Sequence, residues 1–474
     1  MSDEAAPGPG RRNLILATCC LSLFLVSLDV TIVNVALPSI RRDLHASVTE
    51  LQWTLDAYTL CVASFLMLAG STADRVGRKR TFQVGTTVFG LGSLLCGLAP
   101  STTLLVGARI LQALGGAMLN PVAMSIVVNT FTDPKERARA IGVWGGVFGV
   151  SMALGPLVGG ALVQSVGWRA VFVVNVPVVI VALILTARFV PESRAEHPRR
   201  PDPVGQGLVL LTLFTTVGAL IEGPRQGWGS PLIIGAFVLA SVAVAALIAH
   251  ESRRHEPLLD LRFFRSVPFA AATLTAVCAF ASFSGFLFLN SLYLQEARSL
   301  GALAAGLCTL PIALVTVIGS PLSGRLVAAG RVRLALASAG IAIALGSLML
   351  TQLHVDTPLP LVLASYAVFG CGLGLVNAPI TNAAVSGMPR AQAGLAAGIA
   401  STSRQIGASL GVAVAGSVAG RGVAHTSPEA FTASTHPVFW IVVGLGLGIV
   451  ALGLAATSDR GQASARRVAA QLGD

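Results

Sequence analysis

Charged residues are scarce in this sequence. Asp, Glu, Lys and Arg together make up 11% of its 474 residues, compared with about 25% in soluble domains. Aromatic residues are also few, at 6%, while hydrophobic residues reach 54% and the mean hydropathy is +0.77. So little charge could not cover the surface of a water-soluble domain. The composition therefore excludes a soluble globular protein and predicts an all-α, polytopic membrane protein.

The sequence also lacks the cysteine and histidine spacings that are typical of metal sites or disulfide frameworks. Its seven cysteines all lie in apolar stretches and are predicted to be small core residues. Its seven histidines lie in or beside loops. A membrane-embedded enzyme would need clustered histidines, cysteines or carboxylates at a membrane face. We therefore expect no metal, and an enzyme is only a remote alternative.

Apolar runs long enough to form membrane-crossing helices recur along the whole chain. A helix needs about 20 residues to cross a bilayer, and barrel strands would be shorter and would alternate in polarity. Fourteen runs meet this requirement: Leu14–Leu37, Leu51–Gly70, Thr81–Ala99, Thr102–Val128, Ala140–Val166, Ala170–Ala187, Val204–Ile221, Pro231–Ala249, Val267–Gln295, Leu300–Gly324, Leu334–Leu353, Leu361–Ser386, Ala393–Gly420 and Val438–Thr457. The first run is too long for a signal-peptide core, so we expect it to be retained as the first span.

Basic residues are distributed unevenly between the loops on the two sides of this predicted membrane domain. If the N-terminus is cytoplasmic, most of the 32 lysines and arginines fall in cytoplasmic loops. Two lie within spans, and six lie outside: Arg41, Arg42, Arg169, Arg225, Arg298 and Arg421. This is the positive-inside pattern, and it predicts that both termini are cytoplasmic. It also explains the net charge of +11 without a nucleic-acid partner.

Two polar loops divide the predicted spans into groups. They indicate an N-terminal six-helix bundle over residues 1–190, a central linker with two additional helices over 191–266, a C-terminal six-helix bundle over 267–457, and a cytoplasmic tail over 458–474. A weak repeat supports the two bundles, because Gly77 and Arg78 match Gly330 and Arg331 at a constant offset. Paired bundles with a site at their interface are a common transporter plan.

One acidic residue interrupts the first apolar run. Asp29 lies in the string Leu28-Asp29-Val30-Thr31-Ile32-Val33-Asn34-Val35-Ala36-Leu37-Pro38. A charge at the centre of a membrane helix costs at least ~2.5 kcal/mol on insertion scales. Such residues mark ion, proton or substrate paths, so Asp29 is the first candidate site residue.

The loop between the second and third spans carries a dense motif, Gly70-Ser71-Thr72-Ala73-Asp74-Arg75-Val76-Gly77-Arg78-Lys79-Arg80. It resembles the loop signature of the major facilitator superfamily. Gly77 permits a tight backbone reversal, and the basic residues face the anionic leaflet. The resemblance implies a cytoplasmic gate formed by Gly70, Asp74, Arg75, Gly77, Arg78 and Lys79. The alternative is ordinary positive-inside charge.

Three further strings narrow this resemblance: the first is similar to the first-helix motif of the fourteen-spanner drug:proton antiporter family, the second to the superfamily's intramembrane arginine motif, and the third to its antiporter motif. They are the first-span string around Asp29; Arg109, Gln112, Gly115, Gly116 and Ala117 in the fourth span; and the stripe Gly142, Gly146, Gly149, Ala153, Pro156 and Gly160, which overlaps Gly155-Pro156-Leu157-Val158-Gly159-Gly160. Ala113 and Ser151 each replace a usual glycine. The resemblance implies that Asp29 and Arg109 couple protons to transport, and that the stripe, with Gly142, Gly155, Pro156, Gly159 and Gly160, marks an antiporter. A generic helix-packing face is the alternative.

Asp56, in the second span, is the other buried acid. An acid at this position resembles family members that export quaternary ammonium compounds and cationic dyes. Flanked by Trp53 and Tyr58, it would suit a lipophilic cation, although it could instead reach water near the outer end of its helix. Further cavity candidates are Asn34 and Gln112. Arg404 and Glu222 are weaker possibilities.

These features predict a secondary transporter driven by protons. No nucleotide-binding glycine-rich loop with its lysine is present in the sequence, so we expect no cofactor. The expected partners are protons, a hydrophobic and in particular cationic small molecule, and the lipid bilayer of the bacterial cytoplasmic membrane. A dedicated exporter of one metabolite or self-made antibiotic would have the same fold. The sequence leaves the oligomeric state open and is compatible with a monomer.

Overall fold

The computed structural model describes residues 9–195, 202–254, 257–385, 393–423 and 427–473, and the regular elements in these ranges are all helical. The predicted end of the twelfth span at Ser386 lies outside them. The helices are α1 (Pro9–Leu44), α2 (Val48–Val76), α3 (Arg78–Leu98), α4 (Thr102–Thr130), α5 (Pro134–Ser165), α6 (Ala170–Val173), α7 (Asn175–Phe189), α8 (Pro203–Gln226), α9 (Pro231–Glu251), α10 (Val267–Leu292), α11 (Ala302–Cys308), α12 (Leu310–Ala328), α13 (Val332–Leu350), α14 (Leu359–Val385), α15 (Ala393–Val423), α16 (Pro428–Ala456) and α17 (Asp459–Gly473).

The all-α, polytopic architecture predicted from the sequence is confirmed. Within the described ranges, 13 helical segments are long and apolar enough to cross a membrane. The thirteenth predicted span corresponds to α15, which has 31 residues and carries Arg404 but does not belong to that set. The sixth and tenth predicted spans are each made of two helical pieces, α6 with α7 and α11 with α12.

The helices pack as two bundles joined by a central pair. Helices α1 to α7 contact mainly one another, as do α10 to α16. The two groups meet where α2 packs on α15, α5 on α11 and α12, and α1 on α10. Helices α8 and α9 pack together, and α8 also lies against α2 and α15. The central pair therefore sits beside the contact between the bundles.

A buried carboxylate joins the two central helices, α8 and α9. Asp202, which caps α8, accepts hydrogen bonds from the Gly205 amide at 2.9 Å and contacts the His250 ring at 3.0 Å. Arg254 lies 3.3 Å from the same carboxylate. Burial alone would raise the pKa of Asp202, but these hydrogen bonds and the nearby arginine charge lower it below its ordinary value.

Two glycines at equivalent positions support the weak repeat between the bundles. Gly77, between α2 and α3, has a φ of 125°, and Gly330, between α12 and α13, has a φ of 73°. Both angles lie in the left-handed region, which side chains other than glycine rarely adopt. Each glycine reverses the chain between two consecutive membrane helices.

The predicted tail over 458–474 contains the helix α17, which packs against the C-terminal bundle. Its Ser464 hydroxyl accepts a hydrogen bond from the Val267 amide at the start of α10, at 2.9 Å. The hydroxyl thereby satisfies an amide that has no partner within its own helix. The tail is thus a docked element rather than a simple extension.

Polar contacts identify helix ends that lie on the same side of the molecule. Arg11, at the start of α1, donates to the carbonyl of Phe189 at the end of α7, at 3.1 Å. Arg12 forms a 2.8 Å ion pair with Glu136 at the start of α5. We name this the inner side, after the predicted topology, and the opposite side the outer side.

Helices α13 and α16 cross at glycines, and this crossing yields a stability prediction. A Cβ atom added to Gly446 would lie 2.7 Å from the Ala344 amide nitrogen and 2.8 Å from the Gly340 carbonyl. Overpacking of this kind costs about 1–3 kcal/mol, so Gly446→Leu should lower the melting temperature of the detergent-solubilised protein. Gly444→Leu is the matched control on the same helix, because nothing lies within 4 Å of a Cβ there. Equal melting temperatures for both variants would contradict the proposed close crossing.

Candidate functional site

Asp29 lies inside α1 with no exposed surface. The residues before and after it, Leu28 and Val30, are hydrophobic, so the helix itself offers the carboxylate no compensating charge. A buried ionised carboxylate needs partners from other helices. Helices α4 and α7 supply them.

Arg109 of α4 is the principal partner of Asp29. Its Nη1 lies 2.5 Å from Asp29 Oδ2 and donates to Gln112 Oε1 at 2.7 Å, while its Nε donates to the Thr54 carbonyl of α2 at 3.1 Å. The guanidinium also lies 4.2 Å from the centre of the Tyr58 ring. Arg109 therefore joins α1, α2 and α4 through one charge.

Two amide side chains complete the network around Asp29 Oδ1. Gln112 donates to it at 2.8 Å and Asn175 of α7 at 3.3 Å. Both amides also donate to the Ser93 hydroxyl of α3, at 3.1 and 2.9 Å. Ser93 and the role of Asn175 were missed from the sequence. Asn175 did carry a signal, since it is a polar residue that interrupts the apolar run Ala170–Ala187.

Glycines on α3 and α4 let these helices approach closely enough to form the network. A Cβ on Gly92 would lie 2.5 Å from both the Cα and the amide nitrogen of Gln112, and one on Gly116 would lie 2.8 Å from the Tyr58 hydroxyl oxygen. Any larger residue would displace Gln112 or Tyr58. The small residues of the fourth-span motif thus position the ionic groups, although they carry no charge themselves.

The network is chemically able to respond to one proton. Protonation of Asp29 would remove the negative charge while Arg109 stayed positive, because a guanidinium is not deprotonated in proteins. Breaking a buried pair by removing one partner typically costs about 3–5 kcal/mol. A proton bound here would therefore weaken the tie between α1 and α4.

The other predicted cavity residues are dispersed in this conformation. Tyr58 lies beneath Arg109, and Gln112 belongs to the ionic network. Asn34 is nearly buried and donates to the Val30 carbonyl one turn earlier, at 2.9 Å. Trp53 Nε1 donates to Glu222 Oε1 at 3.1 Å, beside a cleft of about 500 Å³ between α8 and α9.

The expectation that Tyr58 flanks Asp56 is wrong for this conformation, because Tyr58 packs against Arg109. Residues two apart on a helix point to opposite sides, so Asp56 and Tyr58 face different neighbours. Asp56 is fully buried at the contact of α2 with α15 and does not reach water, which also excludes the alternative that it snorkels. Neither of its oxygens has a hydrogen-bond partner.

The hydrogen bonds and ion pairs of the loop motif between α2 and α3 lie within the N-terminal half among the described residues. Asp74 pairs with Arg78 at 2.8 Å, and Glu192 accepts from the Lys79 amide at 3.0 Å at the start of α3. Arg75 is exposed, and Gly70 packs near Pro121 of α4. The predicted role of this motif as a gate to the C-terminal bundle stays a prediction.

The glycine stripe of α5 contacts the neighbouring helices along only part of its length. A Cβ on Gly159 would lie 2.7 Å from Ile32, and one on Gly160 2.5 Å from the Ala302 carbonyl. A Cβ on Gly155 would lie closer still to the Thr31 hydroxyl, and one on Gly306 closer still to the Pro156 carbonyl. At the inner end, however, no described residue of another helix lies within 4 Å of a Cβ built on Gly142. The bundles are thus close together toward the outer side and apart toward the inner side.

Polar contacts at the outer side also join the bundles. Arg41 forms a 2.7 Å ion pair with Glu296, and Gln295 donates to the Val35 carbonyl at 3.0 Å. Gln164 accepts from the Leu303 amide at 3.2 Å. These contacts were not predicted from the sequence, because they join residues that are remote along the chain. They indicate a conformation that is closed at the outer side.

The weaker candidates lie apart from the Asp29 network. Arg404 of α15 has a buried Nε without a hydrogen-bond partner, and it forms no ion pair with a described residue. Glu222, near the outer end of α8, is held by Trp53 and lies 3.9 Å from Arg225. In the parts of the chain that the structure describes, no group of three or more His, Cys, Asp or Glu residues could hold a metal ion.

Two helical bundles that touch at one side and are apart at the other, one of them enclosing a buried ion pair, are the architecture of a membrane transporter. Residues 19–412 match the family described as the Major Facilitator Superfamily. The chain therefore belongs to the major facilitator superfamily.

Comparisons with individual proteins agree with this assignment. The chain is 39% identical over 406 residues to "Multidrug resistance protein Stp" of Mycobacterium tuberculosis (strain CDC 1551 / Oshkosh), covering 85% of this chain and 75% of that protein. It is 36% identical over 430 residues to "Tetracenomycin C resistance and export protein" of Streptomyces glaucescens, covering 90% and 80%. A bacterial homologue of the human lysosomal transporter Spinster, solved in an inward-facing, unoccupied conformation, shares the fold with a TM-score of 0.62 at 19% identity, covering 98% of both chains.

The geometry around Arg109 predicts that lysine cannot replace it. A guanidinium bonds the Asp29 carboxylate, Gln112 and the Thr54 carbonyl together, and an ammonium cannot reproduce that planar fork. Arg109→Lys should reduce transport at least ~tenfold, equivalent to about 1.4 kcal/mol, while membrane insertion is retained. The measurement is efflux of ethidium per amount of inserted protein.

Arg169→Lys provides the matched control for this substitution. Arg169 also pairs with an aspartate at 2.5 Å, but both members of that pair are largely exposed. Surface pairs contribute little, so this variant should transport at nearly the wild-type rate. Wild-type transport by Arg109→Lys would show that the arginine geometry is not required.

Proposed function

We propose that this protein is a proton-coupled antiporter that exports hydrophobic drugs or antibiotics, in particular cationic ones, across the bacterial cytoplasmic membrane. The observation that carries the proposal is the fully buried pair of Asp29 and Arg109, 2.5 Å apart. Ionisable residues inside membrane helices are expensive and by default serve ion, proton or substrate paths. Relatives named for multidrug resistance and for tetracenomycin C export support a drug as the cargo.

The coupling step follows from the charges at this pair. In the conformation described here Asp29 is bonded to Arg109, Gln112 and Asn175 as a carboxylate would be. A proton that arrives from the outer side neutralises Asp29 and weakens its bond to Arg109. Release of that proton to the inner side restores the pair. Each protonation state thus favours a different arrangement of α1 and α4.

The orientation proposed for this cycle places both termini in the cytoplasm. The excess of lysine and arginine in the loops on that side supports it. The inner side, where the bundles are apart, would then face the cytoplasm and admit the drug. The proposed step uses Asp29 and the side chains of Arg109, Gln112 and Asn175 that are bonded to it, and we propose that it requires neither a second subunit nor a cofactor.

Export of a single antibiotic or metabolite is the second candidate function. The relative named for tetracenomycin C supports it, because that protein is named for the export of one compound. Inverted membrane vesicles driven by a pH gradient alone separate the candidates. A multidrug exporter should move ethidium together with unrelated hydrophobic compounds, whereas a dedicated exporter should leave ethidium outside the vesicles.

Asp29→Asn tests the proton-coupling role directly. Asparagine keeps the shape of the side chain but cannot take up and release a proton, so transport driven by a pH gradient should fall to the level of vesicles without the protein. Asp43→Asn is the control on the same helix, since Asp43 is half-exposed and pairs with exposed Arg169. That variant should stay active. Normal gradient-driven transport by a well-inserted Asp29→Asn protein would refute the proposed role.

A further inference from the structure

The two buried aspartates of the N-terminal bundle have opposite surroundings. Asp29 and Asp56 are both 0% exposed. Asp29 is bonded to three side chains, including an arginine, whereas neither oxygen of Asp56 has a hydrogen-bond partner. The Ser409 hydroxyl of α15 faces the Asp56 carboxyl and also lacks a partner with good hydrogen-bond geometry.

The helices packed on α2 bring no compensating charge to Asp56. These helices are α1, α3, α4, α8 and α15. Their described charged groups at membrane depth are Asp29, Arg109, Glu222 and Arg404. The first two pair with each other and Glu222 is bonded to Trp53. No ion pair joins Asp56 to Arg404 in the described structure, and the Arg404 Nε is itself without a hydrogen-bond partner.

Asp56 lies behind a seal at the outer side of the bundle contact. One turn nearer the outer end of α2, Gln52 donates to the Val412 and Ala413 carbonyls of α15 at 3.2 and 3.0 Å. One turn toward the inner side, Leu60 belongs to an apolar cluster with Leu213 of α8 and Ala413. Water can therefore reach Asp56 from the outer side only when α2 and α15 separate.

An ionised carboxylate without a partner is too costly to bury at such a contact. We propose that Asp56 takes up a proton from the outer side before α2 and α15 close against each other. The neutral acid is buried when the outer side closes, and the carboxylate forms again when the outer side opens. This inference rests on the proposed antiport cycle and adds a second proton-dependent step to it. Asp56 is then a residue that controls closure of the outer gate, rather than a ligand for the drug.

The direction of the pH effect follows from the charge that closure removes. When the outer side is open, Asp56 meets water and, like an ordinary aspartate side chain, is protonated only at acid pH. At higher pH closure must bind one proton, so the ratio of closed to open molecules falls up to ~tenfold for each pH unit. Asparagine resembles the protonated acid and should abolish this dependence.

Distances between spin labels on the two bundles measure closure without requiring transport. His45 and Glu429 are exposed at the outer ends of the N-terminal and C-terminal bundles, and each is replaced by a labelled cysteine in a variant without the native cysteines. Asp29→Asn is included throughout, so that Asp29 cannot contribute to the response. Closed molecules give the short label-to-label distance and open molecules the long one. As the pH rises from about 5 to 8, the ratio of short to long distances should fall by up to ~tenfold for each pH unit.

Adding Asp56→Asn should leave the outer side closed across this range, while Asp56→Glu, which keeps the carboxyl, should retain the slope. Other titrating groups, including His354 and His436, are present in every variant, so any slope they cause remains in Asp56→Asn. Two results would overturn the proposal. One is a pH slope that Asp56→Asn leaves unchanged. The other is the lack of any pH slope in the Asp29→Asn protein that still carries Asp56.

Infrared spectroscopy of the same proteins supplies a second measurement. At neutral pH the closed protein should show the carbonyl stretch of a protonated carboxyl in wild type and in Asp29→Asn, but not in Asp56→Asn. If Asp56→Asn does not fold, Asp56→Glu replaces it and should shift the band; an unshifted band would overturn the proposal. Neither measurement depends on Asp29 or on a drug, so failure of the proposed antiport would instead appear in the Asp29→Asn transport assay.

Discussion

The rest of the structure depends on the need to compensate one charge inside an apolar helix. Asp29 can remain ionised in α1 only because Arg109, Gln112 and Asn175 converge on it from α4 and α7. Arg109 in turn binds a backbone carbonyl of α2. Four membrane helices are thereby held in one arrangement by a single ion pair and its hydrogen bonds, and a change in the charge of that pair alters all of their contacts.

Close helix packing makes this network possible and also allows it to change. Gly92 lets α3 approach Gln112, and Gly160 lets α5 approach α11 near the outer side. Small residues form tight contacts without interlocking side chains, so such surfaces can separate without breaking specific bonds. The contacts on α5 that are present at the outer side and absent around Gly142 are consistent with bundles that rock about a shared interface.

The two buried acids illustrate how surroundings decide the chemistry of one residue type. Asp29 is compensated within its own bundle, so its proton competes with an arginine. Asp56 lies where the two bundles meet, and the Ser409 hydroxyl is the polar group that faces it. In the proposed cycle it binds a proton when the bundles close at the outer side and releases the proton when they separate. An aspartate at position 29 therefore affects the contact between α1 and α4, whereas an aspartate at position 56 affects the contact between the two bundles.

The sequence by itself determined the membrane fold and most of the span positions, and it singled out Asp29 and Arg109 as candidate site residues, because an apolar run of fixed length and a charge within it have few physical solutions. The tertiary structure alone decided which side chains meet. Ser93 and Asn175 join the site through helices that are distant along the chain, and Tyr58 faces Arg109 rather than Asp56. Helix rotation and packing set those contacts, and hydrophobicity along one helix does not encode the partner that each face will meet.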